Sequence, residues 1–357
     1  MVTRGRRTRM KLNFGLGFGQ DQNVHNVAEY AQTAERLGFR HITVADINNL
    51  ANECHVIMTL IAAATDTIHV GHGVTNPATY HPGALANAMA SIRDLSNDRA
   101  FVGIGAGGPY GQLLKKGVLM KELRQAIRFI SDYSAGFEAE LGDGSWHSEW
   151  IRNSGWNGKR VPVWVAVAGP RTCFITGEVG DAVLSIGMDP VLQQWRKDQV
   201  EAGAEAAGRD VNDIEFYIRT QCYVADSKAA AKRELEPYAA TCTYELYQIL
   251  RRDNEPTDDL RERIKRNHPG LLEQFKLIFD NYDPYWTERI GGPQTKYVTQ
   301  EVIDFFLATG TPEDIVAQIK QLEPVGVAGV STVLFSIEED FKQMQWLSEG
   351  VMSQFAS

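Results

Sequence analysis

The spacing of apolar residues alternates between two periods along most of the chain. Short, nearly continuous apolar runs are followed by longer stretches in which apolar residues recur every three or four positions. The first run, 11–18 (KLNFGLGF), gives way to Val24, Val27, Ala28, Ala31 and Ala34 at helical spacing, which Gly38 stops. His41 to Ala45 (HITVA) reads as a second strand, and an apolar helix follows from about Glu53 to Thr65. A third strand starts at His69 and runs towards Val74, and its helix carries Leu85, Ala88, Met89, Ile92 and Leu95 on one face. Arg99 to Gly107 (RAFVGIGAG) is the fourth, ahead of a helix marked by Leu119, Leu123, Ile127 and Ile130.

The same alternation resumes after an irregular excursion at 137–160. Val161 to Ala168 (VPVWVAVA), Ala182 to Ile186, Ile214 to Val224 and Val330 to Phe335 are strands five to eight. Strands that are apolar throughout are buried on both faces, which is the mark of a parallel sheet covered by helices. Between strands seven and eight, residues 227–299 turn helical and charged over a length no βα loop reaches, so they read as an inserted helical layer. Thr311 as cap, Pro312 at the first helical position and Asp314 at the third announce another helix. Eight βα units predict an α/β fold, a (β/α)8 TIM barrel with a helical insertion after strand seven and a site at the carboxyl ends of its strands. The expected organisation is a flexible leader over 1–10 and a single domain over 11–357.

Composition narrows the partners. The 357 residues are 43% hydrophobic and carry a net charge of −9. No extended basic patch follows the arginines at Arg4 to Arg9, so nucleic acid is not an expected partner. The first apolar run is broken by Gly15, Gly17 and Gly19, so it does not form a signal peptide, and no apolar run is long enough to predict a membrane span. Cys54, Cys173, Cys222 and Cys242 lack CxxC spacing and read as buried thiols of a cytoplasmic protein.

Candidate chemistry gathers at the predicted strand ends. HVGHGVTNPATYHP, residues 69–82, puts Gly71 and Gly73 in a strand pattern and Thr75 and Asn76 at its carboxyl end. A strand glycine marks either a bulge in a core strand or a close backbone approach to a ligand. With Gly105, Ala106, Gly107 and the Gly17 and Gly19 pair, the mouth is glycine-dense, which suits a planar cofactor. Ala168, Gly169, Pro170 and Arg171 combine a helix N-terminus with a guanidinium, either an anion site for a cofactor phosphate or a plain turn with a surface arginine. Asp46, with Asn48 and Asn49 beside it, is the first acid–base candidate, or a cap for the next helix; Tyr80 and His81 are further catalytic candidates. GIGAGGPYG has dinucleotide-motif spacing without the acid expected about twenty residues on. His69 and His72 would fall on opposite strand faces, and no metal site is expected. Tyr282, Tyr285 and Trp286 in the insertion suit a substrate wall or helix packing.

Taken together, GVTNPATYHP, the preceding ADINN (45–49), DRAFVGIGAGG (98–108), VPVWVAVAGP (161–170) with GDAVL (180–184), and GTPEDIVAQI (310–319) resemble the bacterial luciferase-like superfamily. Within it they are most similar to the deazaflavin branch, especially the methylenetetrahydromethanopterin reductases. The resemblance implies coenzyme F420, hydride transfer to or from a small organic substrate, a homodimer, and a cis peptide at Gly73-Val74 backing the ring. In that picture Gly73 to Asn76 back the ring and Asn48, Asn49 and Gly105 to Gly107 line it. Ala168 to Arg171 hold the phosphate, and Asp46 orients the ring or relays a proton. The chain departs from the branch at Ile47, where a histidine is common, and at Gly17, where the pterin reductases carry glutamate. Two alternatives stand beside this reading: an FMN-dependent monooxygenase fed by a flavin reductase, and a non-catalytic flavin-binding barrel.

Overall fold

The computed structural model describes residues 10–18, 24–47, 51–107, 118–334 and 337–355. Eight parallel strands close a barrel: β1 (Asn13–Phe18), β2 (His41–Val44), β3 (His69–His72), β4 (Ala100–Ile104), β5 (Val163–Val167), β6 (Ala182–Ile186), β7 (Glu215–Thr220) and β8 (Gly329–Val333), with β8 paired back to β1. Every strand follows its neighbour in sequence, the right order for repeated βα units. The fold is the (β/α)8 barrel that the apolar pattern predicts.

The barrel interior is plugged by aromatic rings. Trp164 stacks on Phe101 at 4.1 Å and on Tyr217 at 4.3 Å, and the His41 ring meets all three edge-on. Burial drives the His41 imidazole down to about 3, so it is neutral inside this plug. The plug closes the barrel below the carboxyl ends of the strands and gives the site its floor.

The structure departs from the apolar pattern in three places. The seventh strand divides: Glu215–Thr220 belongs to the barrel, whereas Cys222–Val224 pairs in parallel with Ala308–Gly310 outside it. The Cys222 amide is turned towards the Thr332 hydroxyl, 2.8 Å away. Leu95, expected on the apolar face of its helix, is 51% exposed. The excursion at 137–160 contains a two-stranded antiparallel ribbon (Ala139–Leu141 and Gly144–Trp146) and one helical turn.

The insertion forms helices Lys228–Leu250, Glu255–Asn267 and Leu271–Asp280. Its buried residues, among them Leu235, Leu246 and Phe275, make a second core that also takes in Phe306 of the following helix Gln300–Phe306 and Leu192 and Trp195 of the barrel helix Pro190–Ala206. Trp195 donates to the Pro256 carbonyl (2.9 Å), and His268 lies 2.8 Å from Asp189, which also caps the barrel helix by accepting from the Leu192 amide. The hydrogen bond to Asp189 raises the His268 pKa, so the folded protein favours the charged imidazole. Its stabilisation is full below the unfolded-state value of about 6.5 and is lost as pH rises through the higher folded value. Urea unfolding of wild type and His268→Gln should therefore differ by at most about 1 kcal/mol at pH 5.5, and the difference should vanish by pH 9. A gap that widens with pH would refute this assignment.

Candidate functional site

The wall at the end of β3 comes first. The Gly73–Val74 peptide is cis, as the resemblance implied. After it the chain rejoins β4: the Thr75 amide donates to the Gly103 carbonyl and the Gly105 amide to the Thr75 carbonyl, both at 2.9 Å. The His72 carbonyl thereby lies over Gly103, where an added Cβ would stand 1.9 Å from its oxygen. Gly73 is crowded on its inner side, where a Cβ would meet Thr43 at 2.6 Å, and its carbonyl accepts from the guanidinium of Arg219 at the end of β7. These glycines are therefore required by close packing of the protein on itself. Of the two readings of Gly71 and Gly73, the packed strand accounts for both glycines, since the space a Cβ would take at each is already filled.

Beside this wall lies a chain of titratable groups. The Thr75 hydroxyl donates to Asp46 Oδ2 at 2.6 Å. Burial raises the Asp46 pKa, against the lowering effect of that hydrogen bond. An imidazole stands near Asp46 even though Ile47 follows it: His55, in the first turn of the helix Cys54–Ala64, is close enough for their charges to interact. His55 Nδ1 lies 2.7 Å from Glu53 Oε1, and its Nε2 lies 3.3 Å from Nε2 of His72. Tyr80 donates to the same Glu53 oxygen (3.1 Å) and stands edge-on to the His55 ring. Burial works against the Glu53 carboxylate, but hydrogen bonds led by that from His55 outweigh it and hold the carboxyl below its usual value.

Cys54, His55 and His72 also bring their donor atoms within 4.8 Å of one another, a grouping not foreseen from the sequence. A histidine bound to a metal through Nε2 carries a proton on Nδ1, and in His72 that atom is buried without a partner. The group is better described as a hydrogen-bonded chain, in which burial keeps His72 neutral.

The remaining sequence candidates divide. His81 has a structural role: its Nδ1 accepts from the Gly83 amide at 3.1 Å and caps the helix Pro82–Ser96. Asn76 Oδ1 accepts from the Ala78 and Thr79 amides and holds the turn that follows the wall. Ala106 and Gly107 are partly buried beyond β4. Asn48, Asn49, Gly19 and Gly108 lie outside the described residues.

At the end of β5, Gly169 precedes the helix Pro170–Val179 and no side chain caps that N-terminus. The Ala168 amide is already engaged by Thr172 Oγ1 (3.1 Å), leaving the next turn to offer its N–H groups. Arg171 is exposed and has no partner among the described residues. Beneath it the buried Arg196 donates to the Ala168 carbonyl (3.3 Å) and the Ser185 hydroxyl (2.9 Å), adding a second positive charge. An anion is the complement of this corner.

Over the mouth lies the first inserted helix, with Tyr238, Cys242, Glu245 and Ile249 at spacings of four, three and four, and hence on one face. Ile249 packs 3.6 Å from where a Cβ of Gly169 would be. Arg219, Glu245, Glu53 and His55 were not singled out from sequence. A lone arginine in the apolar run FYIRT, and the 238–249 spacing, are the signals that could have found two of them.

The fold and the placement of these groups define a (β/α)8-barrel protein with its site at the carboxyl ends of the strands. Residues 10–329 match the family described as luciferase-like monooxygenase, and the chain belongs to that family. It is 26% identical over 323 residues to a 5,10-methylenetetrahydromethanopterin reductase of Archaeoglobus fulgidus, covering 89% of this chain and 92% of that protein. The coenzyme F420 dependent tetrahydromethanopterin reductase of Methanopyrus kandleri superposes with a TM-score of 0.72 at 22% identity, over 97% of this chain and 99% of that one. A type II Baeyer–Villiger monooxygenase component from Pseudomonas putida, in complex with FMN, shares the fold with a TM-score of 0.63 at 17% identity, over 96% and 99% of the two chains.

Proposed function

We propose that the protein is an oxidoreductase that moves hydride between coenzyme F420 and a small organic substrate. The observation that carries this reading is the pairing, at one barrel end, of a cationic corner at Gly169 to Arg171 with the packed wall at Gly73 to Asn76. The names of several relatives, which print an F420 dependence, support the same choice. The residues fit the group: Arg171 and the free amides of its helix complement a phosphate, and the wall offers a preorganised flat support. When bound, the reduced deazaflavin would supply a hydride. In this reading Gly73, Val74, Thr75 and Asn76 back the ring, Gly105, Ala106 and Gly107 line it, and Ala168 to Arg171 hold the phosphate. Asp46, fixed by Thr75, orients the ring or relays a proton.

The protein is further proposed to act in the cytoplasm as a homodimer formed from 11–357 as one domain. No described helix is long and apolar enough to cross a membrane. The family description and the FMN-bound neighbour favour a second reading, an FMN monooxygenase supplied by a flavin reductase. Titrating the pure protein with F420 and with FMN separates the two. F420 should bind at least tenfold more tightly, and Arg171→Ala should lose roughly tenfold of that affinity, the worth of one charge-assisted hydrogen bond. Tighter binding of FMN, with turnover only in oxygen, would move the assignment to the monooxygenase.

A further inference from the structure

The insertion carries a carboxyl group to the barrel mouth. Glu245 shares its helix face with Tyr238, Cys242 and Ile249, and this face looks down on the ends of β5 and β7. Ile249 fixes one end of the stripe over Gly169. Arg219, which grips the Gly73 carbonyl, acts electrostatically on Glu245, Cys242 and Tyr238 alike. Glu245 thus lies one turn from Ile249 on the face that meets Gly169, and within electrostatic reach of Arg219 and Arg196.

Its surroundings are mixed in charge. Arg219 faces it from β7, Arg196 from the barrel helix, Glu288 and Tyr282 from the last turn of the insertion, and Tyr238 and Cys242 from its own helix. No described residue hydrogen-bonds to its carboxyl, although Tyr282 beside it is tied to Thr241 and Thr287 at 3.0 Å. Some of its surface still meets solvent, yet protein packs densely round it. Burial first, and Glu288 second, push it up to about 7 against the pull of the two arginines. A carboxyl titrating at working pH with both oxygens uncommitted is suited to exchange a proton.

We infer that Glu245 is the substrate-side acid and base of this enzyme, and that the substrate is a compound with a polarised carbon–oxygen or carbon–nitrogen double bond, or its reduced counterpart. Reduction of a carbonyl places a hydride on carbon and a proton on oxygen; Glu245 gives the proton, becomes a carboxylate, and recovers a proton from solvent. The electron pair comes from the reduced deazaflavin, which is oxidised. In the reverse direction the Glu245 carboxylate takes the hydroxyl proton as hydride leaves carbon. The Arg219 guanidinium, anchored on Gly73 O, holds the substrate oxygen. This inference rests on the F420 reading.

The test compares wild type with Glu245→Gln. First, without cofactor or substrate, infrared difference spectra against pH should show a carboxylic acid band lost with a midpoint near pH 7 in wild type and missing in E245Q. Second, F420 should bind both proteins within a factor of two. Third, F420-linked oxidation of a panel (2-propanol, cyclohexanol, benzyl alcohol and benzylamine) should rise with pH through the same midpoint in wild type, and E245Q should lose at least a hundredfold in kcat together with that limb. The inference is overturned if the band persists in E245Q, if E245Q keeps the wild-type pH profile, or if F420-loaded wild type oxidises none of the panel. Failure of wild type to bind F420 would instead overturn the cofactor reading itself.

Discussion

Gly103→Ala should destabilise the protein by about 3 kcal/mol or more, the upper end of what overpacking a core costs. The added methyl would stand 1.9 Å from the His72 carbonyl oxygen. A backbone atom cannot swing aside as a side chain can, so relief requires the wall between His72 and Thr75 to move. That wall is tied to β4 on both sides of Thr75, so the displacement would pass to Gly105 and to Thr75, and with Thr75 to Asp46. Two readouts should change together: the urea midpoint should fall, and affinity for F420 should drop at least tenfold in whatever fraction stays folded. Gly155→Ala, at a position with nothing within 4 Å, should stay within about 0.5 kcal/mol of wild type. If G103A unfolds at the wild-type midpoint, the wall is not packed as described.

Arg219→Met is the second large effect. It keeps the length and apolar stem of the side chain and removes the guanidinium, leaving the Gly73 carbonyl without its charged donor. A hydrogen bond to a charged group contributes about 1.5–3 kcal/mol, so the wall should be destabilised by about that much, and affinity for F420 should fall with it. Glu245 would also lose a positive neighbour, and the midpoint of its infrared band should move to higher pH. Arg219→Lys should restore the midpoint more fully than the affinity, because an ammonium restores charge without the planar fork. Unchanged affinity and an unchanged midpoint in R219M would remove Arg219 from the site.

The barrel was legible because strands such as Val163–Val167 and Ala100–Ile104 are buried on both faces and read as unbroken apolar runs. The division of the seventh strand was not, since Cys222–Val224 is held by Ala308–Gly310, a partner far along the chain that carries no local signal. The wall was legible as a glycine-marked motif, and the structure shows what its glycines accommodate: His72 O, Thr43 and Phe101 occupy the space that Cβ atoms would need. The acid–base groups were hardest to see. His55 and Glu53 reach the end of β3 from a neighbouring helix, and Glu245 reaches the mouth from an insertion. Each is an ordinary polar residue in its own stretch and gains its character only from what other elements bring beside it.

The second core under the inserted helices bears on descent as well as stability. Because Leu235, Leu246 and Phe275 share a core that meets the barrel helix at Leu192 and Trp195, the layer has a packing identity of its own. The parts that would grip the cofactor belong to strands and βα turns, whereas Glu245 belongs to the layer. A lineage of such barrels is thus free to keep one redox partner while exchanging, by drift or by graft, the cover that selects what is reduced.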